Sequence, residues 1–136
     1  MFKQVMLCAV LASGLIVGPV DAQQPTASPA AAPIKRTPLQ KVDVPGSNYE
    51  AVTALAEIIP NVNIGRHTHT GPEAGYVLDG ELTLLVDGKP AQMLKPGDSY
   101  QVAPVAVHDA RSGAKGAKIM VVYIVEKGKP LASPAP

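Results

Sequence analysis

The sequence predicts an all-β protein, one small sandwich or barrel. Three observations lead there. Short β-favouring runs are separated at close intervals by turn signals, among them Asp79-Gly80, Asp87-Gly88 and Pro96-Gly97. Residues 81–86 alternate, with Leu82, Leu84 and Val86 on one face and Glu81, Thr83 and Leu85 on the other. No stretch outside the N-terminus carries a convincing helical period.

At 136 residues the chain holds at most one ordinary domain. Residues 1–22 read as a secretory signal peptide: Lys3 gives a basic start, residues 5–17 are mostly apolar, and Val20-Asp21-Ala22 suits a cleavage site. The run is short for a membrane span. Cleavage would remove Cys8, the single cysteine, leaving neither disulfide nor thiolate ligand. The protein is therefore expected to be exported, periplasmic or secreted, with no stable membrane span after signal cleavage. Loss of Lys3 and Asp21 leaves the net charge at +1, and no basic patch points to nucleic acid.

Residues 23–33 are rich in Ala and Pro, without charge or large apolar side chains, and read as a flexible linker. Residues 127–136, with Pro130, Pro134 and Pro136, read as a flexible tail. The folded domain is expected over 34–126, enough for one β core. Residues 49–59 suit a strand, with a short helix as the alternative because of their alanines. Pro60-Asn61 ends that element and Gly65 allows the next bend. Strands are expected over 74–78, 81–86, 91–94 and 99–102, with Asp87-Gly88 read as a type I′ hairpin turn. Residues 107–108 follow a short loop. Residues 118–125 are apolar on both faces, as in a strand buried on both sides.

The chemistry concentrates in the three histidines. His67 and His69 sit two apart, so a strand can point both to one side. Glu73 follows a Gly71-Pro72 turn that can bring its carboxylate to the same pocket. With His108 these residues offer nitrogen and oxygen donors for a divalent transition metal. Tyr76, Tyr100 and Tyr123 either line a pocket or pack in the core. Arg66 is a weak candidate for an anion, because a residue beside an inward-facing histidine should face outward.

On these residues the stretch 61–112 resembles the cupin superfamily of small β-barrels. Its first motif runs Gly, five residues, His-x-His, three or four residues, Glu, six residues, Gly. His67, His69, Glu73 and Gly80 match, and Asn61 stands where the first Gly would be. Asn tolerates positive φ, so that turn can survive. The second motif runs Gly, five residues, Pro-x-Gly, two residues, His, three residues, Asn. Gly97 and His108 match, while Ala103, Val105 and Ser112 replace the Pro, the Gly and the Asn. The resemblance implies a single jelly-roll β-barrel holding a metal through His67, His69, Glu73 and His108, and commonly a homodimer. The metals found across that superfamily include Fe, Mn, Zn, Ni and Cu, with Fe or Mn favoured for oxygen chemistry. The implied function is a metal-dependent enzyme, dioxygenase-like or a lyase or isomerase, acting on a small organic molecule, with Glu73 as a possible base. The alternative is a non-catalytic module that binds a small ligand or metal.

Overall fold

The computed structural model describes residues 32–136, so the expected signal peptide over 1–22 and most of the expected linker over 23–33 lie outside the described residues. Eight strands follow in order: β1 (Ile34–Asp43), β2 (Tyr49–Ile58), β3 (His67–Thr68), β4 (Glu73–Val86), β5 (Gln92–Leu94), β6 (Ser99–Val102), β7 (His108–Glu126) and β8 (Ser133–Pro134). There is no helix among the described residues. All pairings are antiparallel, and the sheet curls into a jelly roll.

Two long strands form the spine. Residues 73–77 of β4 pair with 119–123 of β7, and residues 82–86 of β4 pair with 108–112, across irregularities at Val77/Asp79 and Gly80/Leu82. Asp79-Gly80 is thus a bulge within one strand, not the turn between two strands that the sequence suggests. Gly80 has φ 74°, and a Cβ there would strike the carbonyl of Gly116. The bulge bends the strand without ending it, because it absorbs an extra residue while pairing continues on either side. In β7 the register with β4 passes from Ser112 to Ala117 within one continuous strand, and Gly116 has φ 78°.

Residues 49–58 form a strand, not the alternative helix, because Ala54 and Ala56 alternate with outward residues and pack into the core. Val77, Leu82, Leu84, Val102, Val121 and Val125 fill the interior, as the alternation of 81–86 requires. On β7, Ile119, Val121, Tyr123 and Val125 are buried, but Met120, Val122 and Ile124 are only partly covered, so that strand is buried on one face. At Asp87-Gly88 only the glycine has positive φ, 74°, and Lys89 N–H donates to Val86 C=O. A type I′ turn needs both central residues at positive φ, so this is a different turn.

Two segments depart from the expectation. Strand β1 extends over ten residues despite Pro38, which is accommodated at a register shift between Pro38 and Gln40 on an edge strand. Residues 127–136, expected as a loose tail, contain β8, which pairs with β3 through His67 opposite Pro134 and Thr68 opposite Ser133. Prolines do not prevent this, because a two-residue edge strand asks for few N–H donors. Among the described residues no helix is long and apolar enough to cross a membrane.

Candidate metal centre

The four residues singled out in the sequence come together inside the barrel. His67 lies on β3 directly opposite His108 at the start of β7. His69 follows one turn of the pleat later, and Glu73 opens β4. All four are buried, and one donor atom from each lies within 4.8 Å of every other. The ring centroids are 4.2 Å apart for His67 and His108, 5.0 Å for His67 and His69 and 5.1 Å for His69 and His108.

The outer ring nitrogens explain the chemistry of the inner ones. His67 Nδ1 donates to Gly65 C=O at 2.7 Å, and His108 Nδ1 donates to Ala106 C=O at 2.9 Å. His69 Nδ1 donates to Leu131 C=O. A carbonyl only accepts, so each Nδ1 carries the ring proton and each neutral ring turns an Nε2 lone pair inward. His69 Nε2 and His108 Nε2 lie 2.8 and 3.3 Å from Glu73 Oε2, yet all three atoms lack a hydrogen-bond partner among the described residues. Lone pairs crowded against a carboxylate repel one another until a positive charge sits between them. Three imidazole nitrogens and a carboxylate oxygen are the donors a divalent transition metal takes, so this cluster can hold one.

Glu73 is held from the other side. Tyr100 donates its hydroxyl to Glu73 Oε1 at 2.6 Å. Gly75 makes this possible: a Cβ there would collide with the Tyr100 ring. Burial opposes ionisation of Glu73, but His108 and His69, where their Nε2 atoms carry a proton, and the Tyr100 hydroxyl outweigh it and lower the carboxyl below its usual range. Burial, followed by the Glu73 charge, pushes Tyr100 far above the ordinary phenol range. Tyr123 is pushed up to about 12 by the same two causes in the same order. Burial lowers His67. Burial also acts against protonation of His108, but Glu73 and the Ala106 carbonyl raise it overall.

Of the three tyrosines, Tyr100 and Tyr123 line the inner cavity, whereas Tyr76 is exposed on the outer face. That cavity, beside His67, Glu73 and His108, measures only about 20 Å³, room for one ion or water. A far larger cleft of about 490 Å³ opens elsewhere, lined by Met93, Lys95 and Arg111, and contains none of the four donors. Arg66 faces outward, as expected, in a two-pronged pair with Asp87 at 2.7 Å for each bond.

The two degraded motif positions behave differently. Asn61 adopts φ 56°, so it takes over the turn of the missing glycine. Val105 adopts φ 53° where the motif has glycine, an uncommon conformation for a β-branched residue. Its N–H donates to His69 C=O at 3.0 Å, which ties this loop to the histidines. Ser112, in place of Asn, donates to Ile59 C=O at 2.6 Å and accepts from Val62 N–H at 3.2 Å. Sequence reasoning missed the roles of Leu131 and Tyr100. The first supplies only a backbone carbonyl, and the second depends on strand register.

No curated relative matches the sequence at a significant level. Solved structures of similar shape do. An uncharacterised double-stranded β-helix protein of Klebsiella pneumoniae matches at 22% identity and TM-score 0.59, over 80% of this chain and 90% of its own. A DMSP lyase of Ruegeria pomeroyi matches at 19% identity and TM-score 0.58, over 65% of this chain but only 44% of its own. A variant of Bacillus subtilis oxalate decarboxylase matches at 15% identity and TM-score 0.54, over 65% of this chain and 24% of its own. The chain thus spans less than half the length of either named enzyme, and these likenesses bear on the fold alone. The cupin-domain family profile matches residues 54–125, more than half of the sequence, from within β2 almost to the end of β7. With that match and the jelly-roll fold, the chain belongs to the cupin family.

Proposed function

We propose that this cupin is an exported, metal-dependent enzyme acting on a small organic molecule. His67, His69, His108 and Glu73 hold a divalent transition metal, with Fe or Mn favoured. The observation that carries the reading is the convergence of buried lone pairs on one point, each imidazole fixed from behind by a carbonyl. When bound, such a metal supplies Lewis acidity and, as Fe or Mn, a redox partner for dioxygen-dependent turnover of the dioxygenase type. Lyase or isomerase chemistry uses the Lewis acidity alone.

The chain's own residues do the rest. The carbonyls of Gly65, Ala106 and Leu131 keep the rings in the ligating tautomer. Tyr100 keeps the Glu73 carboxylate turned toward the imidazoles. The apolar wall of Leu82, Leu84, Ile119 and Val121 excludes water, which strengthens every charge interaction inside. One observation favours a second reading, metal binding without turnover: the inner cavity of about 20 Å³ has no space for an organic molecule as it stands.

Elemental mass spectrometry on untagged protein from the exported compartment is the first test. Near-stoichiometric Fe or Mn is expected. Metal-free protein that also refuses added Mn²⁺, Fe²⁺ and Zn²⁺ overturns the reading, and stable metal with no turnover across a substrate panel selects the second one. Export itself is tested by following loss of residues 1–22 in cell fractions. A homodimer, which light scattering would detect, fits the exposed Leu39 and Val42 on edge strand β1.

A further inference from the structure

Strand β1 walls one side of the barrel, and its inner face carries a charge. Ile34 lines the cavity beside His67 and Glu73, and Arg36, two residues on, takes the same face. The register agrees. Arg36 opposes Ala56, which is buried in the core, and opposed residues share a face. Ala54 and Ala56 are small, so a long side chain can lie across them. The guanidinium reaches Tyr123, its Nε donating to the phenol oxygen at 3.1 Å. Tyr123 packs its ring against His69, with centroids 4.9 Å apart. Arg36 therefore stands at the margin of the metal centre.

Among the described residues no carboxylate pairs with Arg36. Glu73, the buried carboxylate, is already bonded to Tyr100 and turned toward His69 and His108. Among the described residues only Nε of Arg36 is engaged, and its two terminal nitrogens with their four N–H groups have no partner there. Its planar fork matches the two oxygens of a carboxylate. Arg66, the arginine next to the histidines in sequence, has no such role, since its fork is occupied by Asp87.

We propose that Arg36, seated on Tyr123, is the specificity residue of this cupin and selects small organic carboxylates, holding the carboxylate while the rest of the molecule reaches toward the metal. The inference rests on the metal-dependent reading above and names its substrate class. The cavity leaves no room deeper in the barrel, so the ligand approaches from the β1 side and the Arg36 side chain moves to meet it.

The test uses the Mn²⁺-loaded protein with malonate and benzoate as probes and malonamide and benzamide as their neutral counterparts. Calorimetry reads affinity, and relaxation of probe protons by Mn²⁺ reads distance from the metal. Both acids are expected to bind and to be relaxed, and both amides to bind far more weakly. Arg36→Gln is expected to weaken acid binding by about 10- to 100-fold, with Arg36→Lys between it and the wild type. Mn²⁺ affinity should be the same in all three proteins. Equal acid binding by the wild type and Arg36→Gln, amides as tight as acids, or no binding of either acid at millimolar concentration each overturn the proposal. If the wild type takes no Mn²⁺, the metal reading fails separately. The same titration on metal-free protein then decides Arg36: loss of acid binding in Arg36→Gln upholds the carboxylate site, and no loss overturns it.

Discussion

Ending the chain after Pro130 should damage the metal centre while leaving the barrel folded. That truncation removes β8 and the Leu131 carbonyl, the acceptor for His69 Nδ1. It also removes the Ala135 N–H bond to Arg66 C=O and the Pro136 oxygen bonded to Arg66 Nε. Leu131 is partly buried against the core, so its loss costs about 1 kcal/mol, half the value of full burial. The β8 bonds add roughly 1–2 kcal/mol. A domain with about 5–15 kcal/mol of stability survives this. The metal centre should be weakened as well. Without its acceptor, His69 is free to carry its proton on Nε2, where it blocks ligation. Loss of such an outer partner weakens metal binding by about 10- to 100-fold, or roughly 1.4–2.8 kcal/mol. A chain ending after Ala132 is the control: it keeps the Leu131 carbonyl but loses β8 and the Ala135 and Pro136 bonds to Arg66. Competition with a fluorescent chelator measures affinity, and long-range ¹H–¹⁵N correlation of the imidazoles reads the tautomer. The reasoning is refuted if the protein ending at Pro130 binds metal like the full chain, or if His69 keeps its Nδ1–H form.

Other outcomes follow from the same geometry. Tyr100→Phe keeps the ring beside Gly75 but removes the 2.6 Å bond to Glu73; chemical denaturation of metal-free protein should show a loss of about 2 kcal/mol. Val105→Gly releases a β-branched residue from φ 53° at a position 69% exposed; it should stabilise by about 1 kcal/mol after the entropy cost of glycine, seen as a rise of roughly 4–8 °C in Tm. For His108 the pH response runs in opposite directions for metal-free stability and for metal affinity. His108 has a raised pKa, so in metal-free protein its protonated form stabilises at low pH, and this is lost as pH rises through that pKa. Metal needs His108 neutral, so affinity should fall as pH drops, beginning above the ordinary histidine value of about 6.5; a flat affinity profile from pH 8 to 6 would contradict this. Saturating metal, at about 100 times Kd, should stabilise the fold by about 2.7 kcal/mol in a thermal melt, whereas an unchanged Tm would mean that the folded cluster does not bind it.

Three of the donors, His67, His69 and Glu73, were legible because their spacing is set by local rules, and His108 because it is the third histidine and matches the second motif. A His-x-His pair on a strand faces one way, and the Gly71-Pro72 turn is short enough to keep Glu73 close. Their outer partners were not legible. Tyr100 meets Glu73 only because β6 pairs with β4 so that Gly75 lies opposite Tyr100, a register fixed by distant residues. Arg36 is hidden for a similar reason: Pro38 and the surrounding charges mask the alternation of β1, and its inward face emerges only from pairing with β2. The final segment looked featureless because a backbone carbonyl from Leu131 carries no side-chain signature. The long strands were divided at Asp79-Gly80 and around Gly116 because a glycine at positive φ serves a bulge as readily as a turn.

These outer partners also bear on the role of Glu73. A general base works best with a pKa near the working pH and with freedom to meet its proton. Glu73 has neither property: its carboxyl is held well below the usual range, and Oε1 is fixed by Tyr100 at 2.6 Å in a buried site. The same features suit a ligand, whose value lies in staying ionised and in one orientation. The imidazoles show the same pattern, each with one nitrogen spent on a carbonyl and the other directed inward. The centre is therefore a rigid set of donors built from both ends of the domain. Discrimination among organic molecules then falls to groups outside this donor set, and on the β1 side Arg36, bonded to Tyr123 through Nε, is the residue proposed for it.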